Sequence, residues 1–229
     1  MPTLTFMGHS AFLLKGESTT ILFDPFITDN PKAPVESSEI KTDYILVSHG
    51  HADHLGDTVV ISLRNQATVI AVWELSRYLR LQKVKTQVMN IGGTLEFSFG
   101  KVKMTPALHS SAVKNEDGTV TYVGNPCGFI VTLDEKTVYF AGDTGLFSDM
   151  KLVGELDPID VALVPISGGS NMDSEDAARA VEFLAPQITI PMHYNTWEHL
   201  EVDVDRFVQL CEGKGNKVQV LEPGERLDF

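Results

Sequence analysis

Four short apolar segments of this chain are each followed within two residues by a histidine or an aspartate. Segments of this kind, bounded by turn residues, are typical of buried strands, so the chain is expected to be built on sheets. Strand ends that converge on one edge of a sheet bring the residues after them together, and open α/β sheets place their sites there. The segments are Ile45–Val47 before His49, Val102–Leu108 before His109, Val138–Ala141 before Asp143, and Ile188–Met192 before His193.

The segment from Ser48 to His54 contains four side chains that can bind a metal. A single ion takes three or four ligands in all, so this segment alone offers more donors than one tetrahedral ion would use from so short a stretch. His49 and His51 are two positions apart and can reach one ion from an extended loop, whereas Asp53 and His54 turn toward a second position. Imidazoles with a carboxylate suit zinc, and also iron or manganese. The segment therefore predicts a site for two metals.

Three residues elsewhere in the chain join the candidate site because the histidine cluster is present. Taken alone, His109 and His193 would be ordinary histidines, and Asp143 lies in a Gly-Asp-Thr-Gly sequence typical of turns. Beside two metals, His109 is the natural third imidazole for the first ion. The carboxylate of Asp143 can then bridge both ions.

The order of the predicted elements indicates an α/β (α+β) fold, with two sheets packed together and helices outside. Strands dominate the first half, strands alternate with helices in the second, and no sequence repeat is visible. Predicted strands cover 3–7, 11–14, 20–23, 44–47, 69–72, 95–99, 102–107, 128–133, 138–141, 161–166, 188–192 and 218–221. Predicted helices cover 74–81 and 147–155, a segment capped by Asp173 that ends near 184, and one opened by Asp203 or Asp205 that ends near 211.

The composition is that of a single acidic domain covering residues 1–229. With 43% apolar and 21% charged residues, the chain can bury a sizeable core. A formal net charge of -13, without any cluster of lysines and arginines, makes nucleic acid an unfavoured partner. The sequence shows no signal peptide, no segment long enough to span a membrane, and no disulfide framework from its two cysteines. A cytoplasmic location is therefore the expectation.

The candidate ligands also carry a resemblance to a known family. In order and type they match the five metal-binding motifs of the metallo-β-lactamase-fold superfamily. Within it, the chain resembles the UPF0173 metal-dependent hydrolase family, which is similar to the ascorbate-6-phosphate lactonase branch. This narrower resemblance rests on Phe6-Met7-Gly8-His9-Ser10, Asp24-Pro25-Phe26, Gly124-Asn125-Pro126-Cys127-Gly128 and Pro191-Met192-His193-Tyr194-Asn195-Thr196.

The resemblance implies a four-layer αββα sandwich with the metals at one edge of the two sheets. Zinc is usual in the superfamily, manganese occurs in the lactonase branch and iron in others. We therefore expect two divalent ions, zinc first, with manganese, nickel or iron as alternatives. Self-association into a homo-oligomer is expected by the same analogy. The implied ligands are His49, His51 and His109 for the first metal, Asp53, His54 and His193 for the second, and Asp143 as the bridge.

Two residues are predicted to take part in catalysis. Coordination lowers the pKa of water from about 15.7 to about 7, so a hydroxide that bridges two metals can exist at neutral pH. Asp53 is placed to orient this hydroxide and then to move its proton. His9 follows a strand-like segment, as the ligands do, and is the second catalytic candidate. The alternative for His9 is a structural hydrogen-bonding role.

Other residues near the predicted ligands have two interpretations each. The Gly168-Gly169 loop joins a predicted strand to a helix, where an anion could bind, although a plain connection is the default. Trp197 follows the ligand His193 and either lines the pocket or belongs to the core. His199 lies between Glu198 and Glu201 and is expected at the surface.

The leading hypothesis is a dinuclear metal-dependent hydrolase, in which a metal-bridging hydroxide attacks a small, anionic ester, lactone or phosphodiester. Phosphodiesterase and lactonase activities both remain open. One alternative is a di-iron oxidoreductase on the same fold, a class that typically has glutamate where His51 stands. Another is a non-catalytic binding member, but such a protein would have lost ligands, and none is missing here.

Overall fold

The computed structural model describes residues 1–229 and contains fifteen strands and six α-helices. The strands are β1 (Thr3–Phe6), β2 (Phe12–Lys15), β3 (Thr20–Phe23), β4 (Tyr44–Leu46), β5 (Thr68–Val72), β6 (Thr86–Met89), β7 (Thr94–Phe97), β8 (Gly100–Pro106), β9 (Ala112–Lys114), β10 (Val120–Tyr122), β11 (Cys127–Leu133), β12 (Lys136–Phe140), β13 (Val161–Pro165), β14 (Ile188–Met192) and β15 (Arg226–Asp228). The helices are α1 (Ala52–Leu55), α2 (Thr58–Asn65), α3 (Trp73–Leu81), α4 (Met150–Leu156), α5 (Ser174–Leu184) and α6 (Val204–Glu212).

Two large sheets share one plan. The first has the order β15-β1-β2-β3-β4-β5-β6, and the second has the order β14-β13-β12-β11-β8-β7. Each sheet contains a set of antiparallel neighbours and a set of parallel ones, the latter being β3 to β6 in the first sheet and β12 to β14 in the second. Parallel neighbours need a crossover, and every such crossover except that from β3 to β4 contains an α-helix. Strands β9 and β10 form a separate hairpin.

The two sheets pack face to face. Phe23 of β3 and Phe140 of β12 are both fully buried, and their ring centroids lie 5.0 Å apart across the interface. The central strand β13 is buried at all five positions, as expected for a parallel strand covered on both sides. One core cluster includes residues from both sheets and from the buried faces of α3, α5 and α6. The predicted α/β fold and its four-layer αββα sandwich are confirmed.

Some predicted elements were wrong. Residues 218–221 do not form the final strand, since only Val218 makes an isolated bridge, to Thr189. The last strand is β15, a short edge strand without an apolar run, which gave no periodic signal. The helix predicted at 147–155 begins at Met150.

The first half of the chain also contains more helix than predicted. Helix α2 opens with Thr58 and three β-branched residues, which favour strands by propensity, but the buried side chain of Ile61 fixes it as a helix against the sheet. Strand β6 and the hairpin of β9 and β10 were also missed. Strands therefore also alternate with helices between β4 and β6 in the first half of the chain. None of the helices is long and apolar enough to cross a bilayer.

Candidate metal centre

The predicted ligands converge on one edge of the sandwich. The loop after β4 and the short helix α1 carry His49, His51, Asp53 and His54. The other three ligands follow β8, β12 and β14. Strands β4, β12 and β14 belong to the parallel parts of the two sheets, so their carboxyl ends meet at this edge, as predicted.

Three histidines form a first group at this edge. Nε2 of His49 lies 3.0 Å from Nδ1 of His51, which in turn lies 3.2 Å from Nε2 of His109. Ligand atoms of a tetrahedral zinc ion with bonds of 2.0–2.1 Å are separated by roughly 3.4 Å. The three nitrogens are thus close to the spacing that a single ion requires. His49 is buried, whereas His51 and His109 are partly exposed to the cleft.

A second group combines histidines with a carboxylate. Oδ2 of Asp53 lies 3.6 Å from Nε2 of His193 and 3.9 Å from Nε2 of His54. Both histidines are buried, and Asp53 is partly exposed. His9 belongs to the same cluster, with Nε2 lying 3.2 Å from Oδ2 of Asp53.

Asp143 lies between the two groups. Its Oδ1 is 3.2 Å from Nε2 of His54, and its Oδ2 is 3.1 Å from Nε2 of His193 and 3.6 Å from Nε2 of His109. One carboxylate therefore faces ring nitrogens of both groups, which is the position that a bridging ligand needs.

The donor atoms fit divalent metal ions. Nε2 of His54, Nε2 of His193 and Oδ1 of Asp143 are buried and have no hydrogen-bond partner, although they lie close together. Unpaired buried polar atoms are costly and rare in native proteins, and coordination of a metal ion would satisfy these three. Imidazoles with two carboxylates form a donor set suited to zinc and to other divalent transition metals.

Asp24, which was not among the predicted site residues, supports one histidine of each group through hydrogen bonds. The ring of His54 donates from Nδ1 to Oδ2 of Asp24 at 2.6 Å, and Ser48 donates to Asp24 from its backbone N and its Oγ. Oγ of Ser48 lies 2.9 Å from Nδ1 of His49. Both rings thereby point Nε2 toward the edge, as outer-shell partners of metal-binding histidines do. Asp24 follows the apolar strand β3, so the pattern that identified the ligands could have identified it too.

Left-handed backbone places several of these side chains. His9, Asp24 and His193 have φ angles of 58°, 36° and 58°, which non-glycine residues seldom adopt. Before Asp143, Gly142 has a φ of 61°, and a Cβ there would lie 2.8 Å from the carbonyl oxygen of Cys127. Glycine is required at this turn because any larger residue would collide with the neighbouring strand.

His9 is fixed on all sides. Nδ1 of its buried ring lies 2.8 Å from Oγ1 of Thr196, and its carbonyl oxygen accepts from the backbone N of His193. Its ring centroid lies 4.0 Å from that of His193 and 5.2 Å from that of Trp197. Burial lowers the pKa of His9 to about 4, so its ring is neutral at physiological pH. A neutral ring with the proton on Nε2 donates to Asp53 and accepts from Thr196 at Nδ1.

The two groups differ in protonation. Burial lowers the pKa of His49, His51 and His109, and neighbouring histidines lower it further. Burial also opposes the charged form of His54 and His193, but the carboxylate of Asp143 outweighs it. The pKa of His54 lies well above its ordinary value, and that of His193 is raised to about 9.

Both carboxylates of the centre stay charged. Burial acts to raise the pKa of Asp53, but contacts with His193 and His9 hold it below the ordinary value. The charge of His54 likewise outweighs burial and lowers the pKa of Asp143. The first group therefore consists of neutral imidazoles. The second group combines the charged Asp53 with imidazoles that a metal must deprotonate, and the charged Asp143 faces both groups.

A cleft of about 570 Å³ opens over the ligands. The residues that line it include the loop of residues 167–170 and, after β14, Trp197, His199 and Leu200. His199 is exposed, as predicted, and it also lines the cleft. Trp197 is partly exposed and lies between the cleft and the ring of His9, so it has both of the roles considered for it.

Comparisons with known proteins show to which family the chain belongs. A family model described as a beta-lactamase superfamily domain matches residues 3–193. A UPF0173 metal-dependent hydrolase of Carboxydothermus hydrogenoformans is 52% identical over 222 residues, which cover 97% of each chain.

Solved structures show the same fold. Igni18, a metallo hydrolase from the archaeon Ignicoccus hospitalis, is 38% identical with a TM-score of 0.88, covering 100% of this chain and 99% of its own. CmlA, a diiron β-hydroxylase from Streptomyces venezuelae, has a TM-score of 0.77 at 17% identity over 54% of its length, and shares the fold alone. The chain thus belongs to the UPF0173 metal-dependent hydrolase family of the beta-lactamase superfamily.

Proposed function

We propose that this protein is a dinuclear metal-dependent hydrolase of a small, anionic ester, lactone or phosphodiester. The observation that carries the proposal is the convergence of the seven predicted ligands in two groups with one carboxylate between them. In this proposal His49, His51 and His109 hold the first metal, and Asp53, His54 and His193 hold the second. The carboxylate of Asp143 faces both groups, so its negative charge can interact with the metal at each position.

Bound metals, zinc as first choice, would make water acidic enough to act as a nucleophile at neutral pH and would polarise the carbonyl or phosphoryl oxygen of the substrate. The chain itself positions the ligands and shields them from solvent. Buried apolar residues of both sheets lie behind the ligands, which keeps the local dielectric low and strengthens each electrostatic contact.

Asp53 and His9 are the proposed catalytic pair. Asp53 is the only proposed ligand carboxylate with appreciable exposure, at 29% of its side chain, so it can meet the reacting atoms in the cleft. The ring of His9 donates to Oδ2 of Asp53 and fixes the orientation of that carboxylate. A charged, oriented carboxylate can accept a proton from the nucleophile and return it to the leaving group.

The redox alternative has less support. CmlA shares the fold but not the sequence, and His51 stands where the di-iron class typically has glutamate. A non-catalytic role is disfavoured because every expected ligand is present at the edge. The cytoplasmic location and the homo-oligomer stay predictions.

Asp143→Asn tests the proposal. The substitution keeps the shape of the side chain and removes the charge that faces both groups. We expect a loss of at least about 10³-fold in kcat/KM, which corresponds to roughly 4 kcal/mol, with the fold retained. The exposed Asp149→Asn is the matched control and should keep full activity.

Activity should be measured on a panel of phosphodiesters, lactones and thioesters, together with the metal content of protein purified without added metal. Full activity of Asp143→Asn would contradict the assigned role of this carboxylate. Turnover that persists after complete removal of metal would contradict the proposed mechanism.

A further inference from the structure

The cleft over the metal centre has an unusual charge distribution. No lysine or arginine lines it. Its carboxylates, Asp53 and Asp143, and most of its histidines belong to the proposed ligand set. His199 is the remaining titratable side chain. Any positive charge available to a substrate therefore comes from the metals, at the floor of the cleft.

One wall of the cleft is built of hydroxyl groups, and we call Ser110, Ser167 and Ser170 the serine wall. The backbone N–H groups of Gly169 and Ser170 donate to no other backbone group. These amides and hydroxyls can donate hydrogen bonds to uncharged oxygens of a substrate. They supply no formal charge.

The helix that follows the serine wall is already neutralised at its N-terminus. Oδ1 of Asp173 caps α5 by accepting from the backbone N of Asp176 at 2.9 Å, and Glu175 and Asp176 lie in the first turn. Negative side chains are the natural partners of a helix N-terminus. Because three acidic residues occupy this one, a substrate anion near the wall would meet repulsion. The anion site considered for the Gly168-Gly169 loop is therefore disfavoured.

A second part of the lining contains two aromatic rings and a leucine, and we call Trp197, His199 and Leu200 the aromatic wall. The rings of Trp197 and His199 stack with centroids 5.7 Å apart and an interplanar angle of 6°. Glu198 and Glu201 flank His199 in the chain and are exposed, so this wall has no net positive charge. Stacked aromatic rings favour the binding of a flat or apolar part of a substrate.

We infer that the substrate is uncharged beyond the group that meets the metals, and that its uncharged part lies between the serine wall and the aromatic wall. The inference rests on the proposed function and narrows it. One negative charge at the scissile group is neutralised by the metals, but a second, distal charge finds no lysine or arginine among the residues that line the cleft. A lactone that carries a distal phosphate, as the resemblance to the lactonase branch suggested, would lack a partner for that phosphate.

Binding of two matched phosphonates tests this inference without any turnover. 4-Methylphenyl methylphosphonate has one negative charge for the metals and an uncharged tail. 4-Carboxyphenyl methylphosphonate has the same charge and a distal carboxylate of similar size. The chain has two tryptophans, so in Trp73→Phe the fluorescence of Trp197 alone reports binding to the zinc-loaded protein.

We expect the methylphenyl compound to bind at least about tenfold more tightly, a difference of about 1.4 kcal/mol. Equal affinities, tighter binding of the carboxyphenyl compound, or no binding of either would overturn the inference. Hydrolysis of the substrate panel is measured separately. Binding as expected with no hydrolysis of any substrate would contradict the proposed function and leave this inference standing.

Two pairs of variants locate the effect. Ser170→Lys places a cation on the serine wall and should remove the tenfold penalty of the distal carboxylate, whereas the exposed Ser148→Lys, which lies outside the cleft, should not change it. Trp197→Ala should weaken binding of the methylphenyl compound to the zinc-loaded protein about tenfold in a calorimetric titration, because stacking and burial are lost. Trp73→Ala is its matched control. Unchanged affinity in Trp197→Ala, or unchanged discrimination in Ser170→Lys, would overturn the placement of the uncharged part.

Discussion

The two groups of the metal centre lie at the same edge but differ in electrostatic character. His49, His51 and His109 are neutral imidazoles, and two of them are partly exposed. His54 and His193 are buried and hold protons because Asp143 faces them. At the first group a metal ion has few protons to displace. At the second group it replaces protons and neutralises carboxylates. Similar donors can therefore give two unlike positions when burial and neighbouring charges differ.

Removing one histidine from each group should separate the two positions most clearly. His54→Ala leaves Asp24 and Asp143 buried without their partner, and a buried pair broken in this way costs about 3–5 kcal/mol. His51→Ala removes a partly exposed ring and should cost below about 1 kcal/mol in metal-free protein. Denaturant unfolding measures the free energies. Both variants should bind one metal fewer and lose activity, and equal losses of stability would remove the distinction between the groups.

Variants beneath the ligands should sharpen the comparison. Asp24→Asn weakens the acceptor on which both His54 and, through Ser48, His49 depend. Substitution of such outer-shell partners typically lowers metal affinity by about 10–100-fold. Asp24→Asn should therefore weaken both positions, and Ser48→Ala should weaken the first position more than the second. Stepwise metal titration distinguishes the two, and a uniform loss in Ser48→Ala would show that the hydroxyl does not act through His49.

The number of protons released on metal binding should reveal the smallest of the differences between the two groups. His193 has a pKa of about 9, so at a pH of about 7.5 it holds a proton that a metal must displace. Metal binding should release roughly one to two protons per chain at this pH, from His193 and His54. Calorimetry in buffers of different ionisation enthalpy measures the number.

The stability of the metal-free protein and the metal affinity of the second group should both depend on pH, with a definite sign. Because the pKa of His193 is raised on folding, its contact with Asp143 stabilises the metal-free protein below pH 6.5, and this contribution is lost as the pH rises through about 9. Metal affinity at the second group should rise over the same interval. His193→Gln should release fewer protons, and an unchanged number would contradict this assignment.

The sequence predicted those parts of the centre that short-range patterns encode. A strand followed by a histidine is visible in a few residues, so the sequence predicted one edge for the seven proposed ligands, and the structure brings these residues together there. Their role as ligands stays a prediction. Asp24 was missed as a partner because its contact with His54 depends on burial and on which ring nitrogen faces inward. Strand β15 was missed because its pairing with β1 joins residues at opposite ends of the chain. Such long-range contacts leave no periodic trace in the sequence.

The left-handed backbone of His9, Asp24 and His193 has a consequence for evolution of the protein. Each such residue costs on the order of 1–3 kcal/mol and persists only where the surrounding structure holds it. Glycine at any of these positions would relax the chain locally, but it would delete the imidazole or carboxylate that the edge presents. Selection for stability therefore favours glycine at these three positions, whereas selection for activity favours the present side chains. The rigid sandwich behind them allows the strained residues to be kept.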